Sequence, residues 1–145
     1  MMNDKRELFE GFHDRFGRAI EQGFYLEASW YIYALIEDRL VSMLRQSGGV
    51  GEKGSTTPIK MLGPKIKELK RRAVSDGLLQ QNLPDTALSE WSSRRNSLMH
   101  AMADGNLSQE EIDKQSYLLA TNGKELVKEV SAAAMRLKKH RAKVS

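Results

Sequence analysis

The chain contains no cysteine. That absence excludes disulfides, thiolate metal sites and cysteine nucleophiles, and it suits a reducing cytoplasm. Also missing is any apolar run of about 18 residues, the length a bilayer demands, so no membrane span is expected. Charges are spread through the opening segment "MMNDKRELFEGFHDRFGRAI", and no secretory signal is expected there. Histidine is scarce: His13, His100 and His140 lie far apart, without His-Glu-x-x-His or paired Glu-x-x-His spacing. No metal and no other cofactor is expected. The segment "GGVGEKGST" has glycines and a lysine, but Ser55 stands where a phosphate-binding loop needs its lysine. A Gly-x-Ser-x-Gly nucleophile elbow is absent as well. Most familiar enzyme chemistries thereby drop out.

What is present suits one packed domain over residues 1–145, with 40% hydrophobic and 29% charged residues and a net charge of +4. Leu8, Phe9, Phe12, Phe16, Ala19 and Ile20 recur at the helical period and predict a helix from Asp4 to Gln22, broken at Gly23. The segment "FYLEASWYIYALIEDRLVSMLRQSGG" follows. Leu26, Trp30, Tyr33, Leu40 and Leu44 hold helical spacing there, which predicts a long apolar helix ending at Gly48-Gly49. Residues 48–57 read as a flexible glycine-rich loop. Thr57-Pro58 has the form of a helix start, and that helix is interrupted or restarted at Gly63-Pro64 and runs to about Ser75. "DGLLQQNLPD" reads as a turn. Asp85 or Thr86 is expected to cap a helix that ends near Asp104-Gly105. Ser108 and Glu111 form a capping box for a long last helix, with Ile112, Leu119, Leu126, Val130, Ala133 and Leu137 on its inner face and fraying expected from about residue 141. The fold class expected is all-α, a four- to five-helix antiparallel bundle.

The stretch "EWSSRRNSLMHA", residues 90–101, carries the anomaly. Leu88, Trp91, Leu98, Met99 and Met102 define an apolar stripe, and Arg95 falls near its middle. A guanidinium carries five donors and needs polar or anionic partners in such a place. Asn96 lies about 100° round the helix and His100 about 140°, so a straight helix does not put Arg95 and His100 on one face. A bend, a curled arginine or a second chain would be needed. In the preceding apolar helix, Glu37 falls within or at the edge of the apolar sector, whereas Asp38 falls with Glu27, Ser42 and Arg45 on a polar face. Glu37 is the candidate partner for Arg95. Taken residue by residue, a structural ion pair with a surface histidine nearby is the favoured reading.

"RNSLMH", Arg95 to His100, resembles the signature of the HEPN superfamily, in which an Arg, commonly followed by Asn, Asp or His, precedes a His after four to six residues. The apolar helix with its internal acid resembles that family's long helix, and the likeness extends as a helical pattern over roughly residues 20–140. The resemblance implies a HEPN-like bundle that forms a homodimer with the two motifs face to face. It also implies metal-independent endoribonuclease activity, in which a ribose 2′-oxygen attacks the adjacent phosphate. His100 would then move protons, Arg95 would stabilise the transition state, Asn96 would orient a phosphate or His100, and Glu37 would hold Arg95. RNA is the implied substrate and DNA would be spared. A nucleotidyltransferase-like antitoxin or a defence setting is implied as a partner context. Other members serve as non-catalytic interaction or dimerisation modules, which is the alternative here.

Two basic stretches complete the reading. "PIKMLGPKIKELKRR" carries Lys60, Lys65, Lys67, Lys70, Arg71 and Arg72 against one acid, Glu68, and "RLKKHRAKVS" carries no acid. Lys65, Lys67, Lys70, Arg71 and Arg72 are candidate RNA contacts, with a solvated helix face as the equal alternative. Trp30, Tyr31, Tyr33 and Trp91 are candidates for base stacking, although a place in the helical core is expected of them.

Overall fold

The computed structural model describes residues 4–144. Among these the chain is all helix, without a strand. Six α-helices follow one another: α1 Lys5–Gln22, α2 Tyr25–Gln46, α3 Leu62–Ala73, α4 Gly77–Asn82, α5 Asp85–Asp104 and α6 Gln109–Val144. None of them is long and apolar enough to cross a membrane.

Local chemistry sets most of the boundaries. The Asp4 side chain accepts from the Arg6 amide and starts α1, and Gly23, at φ 77°, ends it with its N–H on the Ala19 and Ile20 carbonyls. Gly105, at φ 70°, closes α5 in the same way. One half of the expected capping box forms: the Glu111 amide donates to Ser108 Oγ at 3.1 Å, while the Glu111 carboxylate accepts from the Ser108 hydroxyl. Thr57-Pro58 starts nothing. Instead α3 begins at Leu62, and Pro64 sits in its first turn, where a missing N–H is harmless. The stretch read as a turn contains α4, whose Leu79 amide donates to Asp76 Oδ1. At the start of α5, Asp85 is the first helical residue and Pro84 precedes it without a side-chain cap. No fraying begins at residue 141: α6 stays helical through Val144, and Arg141 bonds Asp76. Residue 145 of the expected frayed tail lies outside the described residues.

The apolar spacing of α2 buries Ala28, Ile32, Ile36, Leu40 and Met43, and α2 packs most extensively along α6. Pairing across the helices gives their directions. Lys5 meets Asp38 and Phe12 meets Tyr31, so α1 runs against α2. Tyr33 meets Leu62, Glu37 meets Lys65 and Leu44 meets Arg72, so α3 runs with α2. Tyr25 meets Tyr117, and Ile32 packs at Gly123, so α6 also runs with α2. α5 returns through a short turn and packs on α6. The bundle is therefore of mixed direction, because the long connection over residues 47–61 carries the chain back before α3, and α5 carries it back before α6.

Two close fits fix the interior. Gly123 of α6 faces Ile32 and Trp91, and the Trp91 indole donates to the Leu119 carbonyl at 2.9 Å. Arg72, read as a surface cation, is buried and donates to Leu44 O, Ser47 Oγ, Gly51 O and Glu68 Oε2. It braces the end of α2 against the glycine-rich segment, which is consequently no loose loop. Ile59 is buried there and donates to the Val50 carbonyl, while Gly51 has no room for a Cβ, which would stand 1.9 Å from Ser55 O.

Candidate functional site

Arg95 projects from the inner side of α5 toward α2. Its guanidinium carbon lies 4.2 Å from the centroid of the Tyr33 ring, a cation–π seat of the kind worth about 1–2 kcal/mol. The Tyr33 hydroxyl is itself fixed, accepting from the Leu62 amide at 2.9 Å. Arg95 Nε is buried without a hydrogen-bond partner, and Nη1 reaches Asn96 Oδ1 only at 3.4 Å, long for such a bond. Among the described residues no carboxylate pairs with Arg95. The site thus holds a half-buried cation with donors to spare.

Glu37 does not hold Arg95. Its carboxylate faces α3 and lies 3.5 Å from Lys65 Nζ. The reason is packing: the Glu37 side of α2 is covered by α3, so the nearest cation is the one that α3 supplies. Asp38, read as polar-face, is buried, with Lys5 of α1 and its neighbour Arg39 on its two oxygens. Burial raises its carboxyl, but hydrogen bonds from Lys5 and Arg39 outweigh this and leave it lowered.

α5 is continuous through the motif, so no bend brings His100 round to Arg95. Five residues along, His100 stands about 140° away and about 7.5 Å further along the axis, exposed to solvent. Within one chain the two are not assembled around a common point.

Asn96, on the other hand, is brought together with part of the basic stretch. A groove of about 390 Å³ between α3 and α5 is lined by Lys67, Lys70, Ser89, Ser92, Ser93 and Asn96 among others. Positions 89, 92, 93 and 96 follow the i, i+3, i+4, i+7 pattern of one helix face, and Lys67 and Lys70 share a face of α3. The polar stripe is visible in the sequence at this spacing, beside the apolar one. Of the remaining basic candidates, Arg71 is exposed and paired with Glu68, whereas Lys65 and Arg72 are buried in ion pairs and turned away from solvent. Both stand on the α2 side of α3, where the internal carboxylates and carbonyls are.

The aromatic residues divide. Trp91 is core, Tyr31 packs on Phe12, and Tyr33 is occupied by Arg95. Trp30, expected in the core, is 56% exposed. Lys138, Lys139, His140 and Lys143 are exposed near the end of α6. Among the described residues no group of three His, Asp or Glu stands close enough to hold a metal ion. No protein-family model, curated protein or solved structure matches the chain.

Proposed function

We propose that this chain is a metal-independent endoribonuclease of the HEPN type, acting in the cytoplasm as a homodimer whose two motifs complete one cleft. The observation that carries the reading is Arg95: a guanidinium seated on Tyr33, paired with no carboxylate among the described residues, beside a groove of lysines, hydroxyls and Asn96. An arginine so held is ready to meet the charge that grows on a phosphate under attack. In the proposed reaction a ribose 2′-oxygen attacks the adjacent phosphorus, the bond to the 5′-oxygen breaks, and a 2′,3′-cyclic phosphate is left. One proton leaves the 2′-hydroxyl and one reaches the departing 5′-oxygen. His100 is the residue suited to moving them near neutral pH. Since His100 and Arg95 diverge on one straight helix, the partner copy supplies the complement. An antitoxin of nucleotidyltransferase-like chemistry fits as a further partner.

The same divergence favours a second reading, in which the motif helix is a non-catalytic interaction surface. The two are separated by incubating the pure protein with several RNAs in EDTA. The ribonuclease reading expects cyclic-phosphate ends, with cleavage lost in His100→Ala and Arg95→Ala and no cutting of DNA. Intact RNA throughout would leave the interaction module as the better account.

A further inference from the structure

The α3–α5 groove has a chemistry of its own. Two ammonium groups, Lys67 and Lys70, face three hydroxyls and one amide, and among the described residues no carboxylate lines it. The hydroxyls are uncommitted. Serine in a helix commonly donates back to a carbonyl of the preceding turn, as Ser29 and Thr121 do here. Among the described residues Ser89, Ser92 and Ser93 make no such bond, although Ser92 is buried. Two cations on the α3 wall and three idle donors on the α5 wall suit a tetrahedral oxyanion between them. Asn96 joins this groove to Arg95, since its Oδ1 faces the guanidinium and its residue lines the cavity.

We infer that the groove is a phosphodiester subsite for single-stranded RNA, seating a backbone phosphate next to the one that Arg95 meets. This rests on the ribonuclease reading for the identity of the neighbouring phosphate. Lys67 and Lys70 supply the charge, the serines fix the oxygens, and Asn96 spaces the two phosphates. The groove reads phosphate and not base, so it positions the strand without selecting sequence. Substrates therefore need at least one nucleotide beyond the scissile linkage on the groove side.

The test uses a fluorescein-labelled decamer of 2′-O-methyluridine, which has the phosphates of RNA and no hydroxyl to attack. Its binding is followed by anisotropy against salt for the full chain, for Lys67→Ala/Lys70→Ala, and for Ser89→Ala/Ser92→Ala/Ser93→Ala. All of these substitutions favour helix, and circular dichroism checks that each variant is folded. The double lysine variant is expected to bind at least about tenfold more weakly at low salt and to flatten the log–log salt slope by about 1.4, the value for two contacts on a single strand. The serine variant is expected to weaken binding with the slope retained, because neutral donors release no counterions. Unchanged affinity and slope in the lysine variant overturn the subsite, even if the wild type cuts RNA. Lysine-dependent binding by a protein that cuts no RNA upholds the subsite and removes the ribonuclease instead. Displacement of the decamer by submillimolar inorganic phosphate at matched ionic strength assigns the groove to a free anion and overturns its assignment to RNA.

Discussion

A Cβ added to Gly123 would stand 2.9 Å from the indole nitrogen of Trp91. The same atom would lie 2.7 Å and 2.9 Å from two carbons of Ile32, so α2, α5 and α6 meet through a single missing methyl group. In an ordinary helix Gly→Ala stabilises by about 1 kcal/mol. Here overpacking, typically about 1–3 kcal/mol, acts against that gain and disturbs the Trp91 bond to Leu119. Gly123→Ala is expected to lower stability by about 1 kcal/mol or more, read as a fall in Tm. A rise in Tm would show that this junction is looser than described.

Arg72 and Lys67 belong to one basic stretch and should respond very differently to substitution. Arg72→Ala removes a buried cation, strands Gly51 O and leaves the Glu68 carboxylate to Arg71 alone. Losses of about 3 kcal/mol accompany the breaking of such buried pairs. Faster hydrogen exchange is expected over residues 48–59. Lys67→Ala, on the exposed side, should stay within about 0.5 kcal/mol of wild type. Denaturant unfolding of the two variants checks both.

Acid should weaken the fold through the same corner. Hydrogen bonds from Arg71, and then from Arg72, hold the Glu68 carboxyl at about 2 in place of 4.5 despite its burial. Asp38 is lowered too, its burial outweighed by Lys5 and Arg39. Both folded values lie below the unfolded ones. The stability they contribute is therefore complete above about pH 4.5 and is lost as pH falls toward 2. Glu68→Gln should be less stable at neutral pH and should respond less to acid over that range. Thermal melts at pH 7, 4.5 and 2.5 decide it, and a wild type that gains stability on acidification contradicts the assignment.

Tyr33 can be divided into its two roles. Tyr33→Phe keeps the ring under Arg95 and removes the acceptor for the Leu62 amide. It should lose about 1 kcal/mol of stability and, on the proposed ribonuclease reading, retain cleavage. Tyr33→Leu removes the ring, and on the proposed ribonuclease reading the loss of a cation–π seat worth about 1–2 kcal/mol predicts roughly a 5- to 30-fold fall in the cleavage rate. If Tyr33→Phe and Tyr33→Leu cleave alike, the ring does not position Arg95.

The helices were legible because their signals are local: Gly23 and Gly105 end helices by their own backbone conformation, and Ser108 with Glu111 starts one. Arg95 was legible as an anomaly for the same reason, since an apolar stripe is a property of one helix. Partner choice was not. Glu37 sits on the inner edge of α2 as its angle requires, yet which cation meets it depends on α3 lying across that edge. Asp38 is buried only because α1 folds back to bring Lys5. Lys65 and Arg72 look like members of a basic run until α2 and the glycine-rich segment offer acceptors to one side of α3. Trp30 keeps helical spacing with core residues but falls where no helix covers it.

An arginine matched by a carboxylate resembles a dipole from a distance, and its field dies away quickly. Arg95 rests on a ring that carries no net charge, so it remains a monopole. Its attraction for a polyanion is limited mainly by the ions of the medium, over about 8 Å at physiological salt. The seat on Tyr33 therefore fixes the guanidinium in position without cancelling it, and any approaching anion meets the full charge.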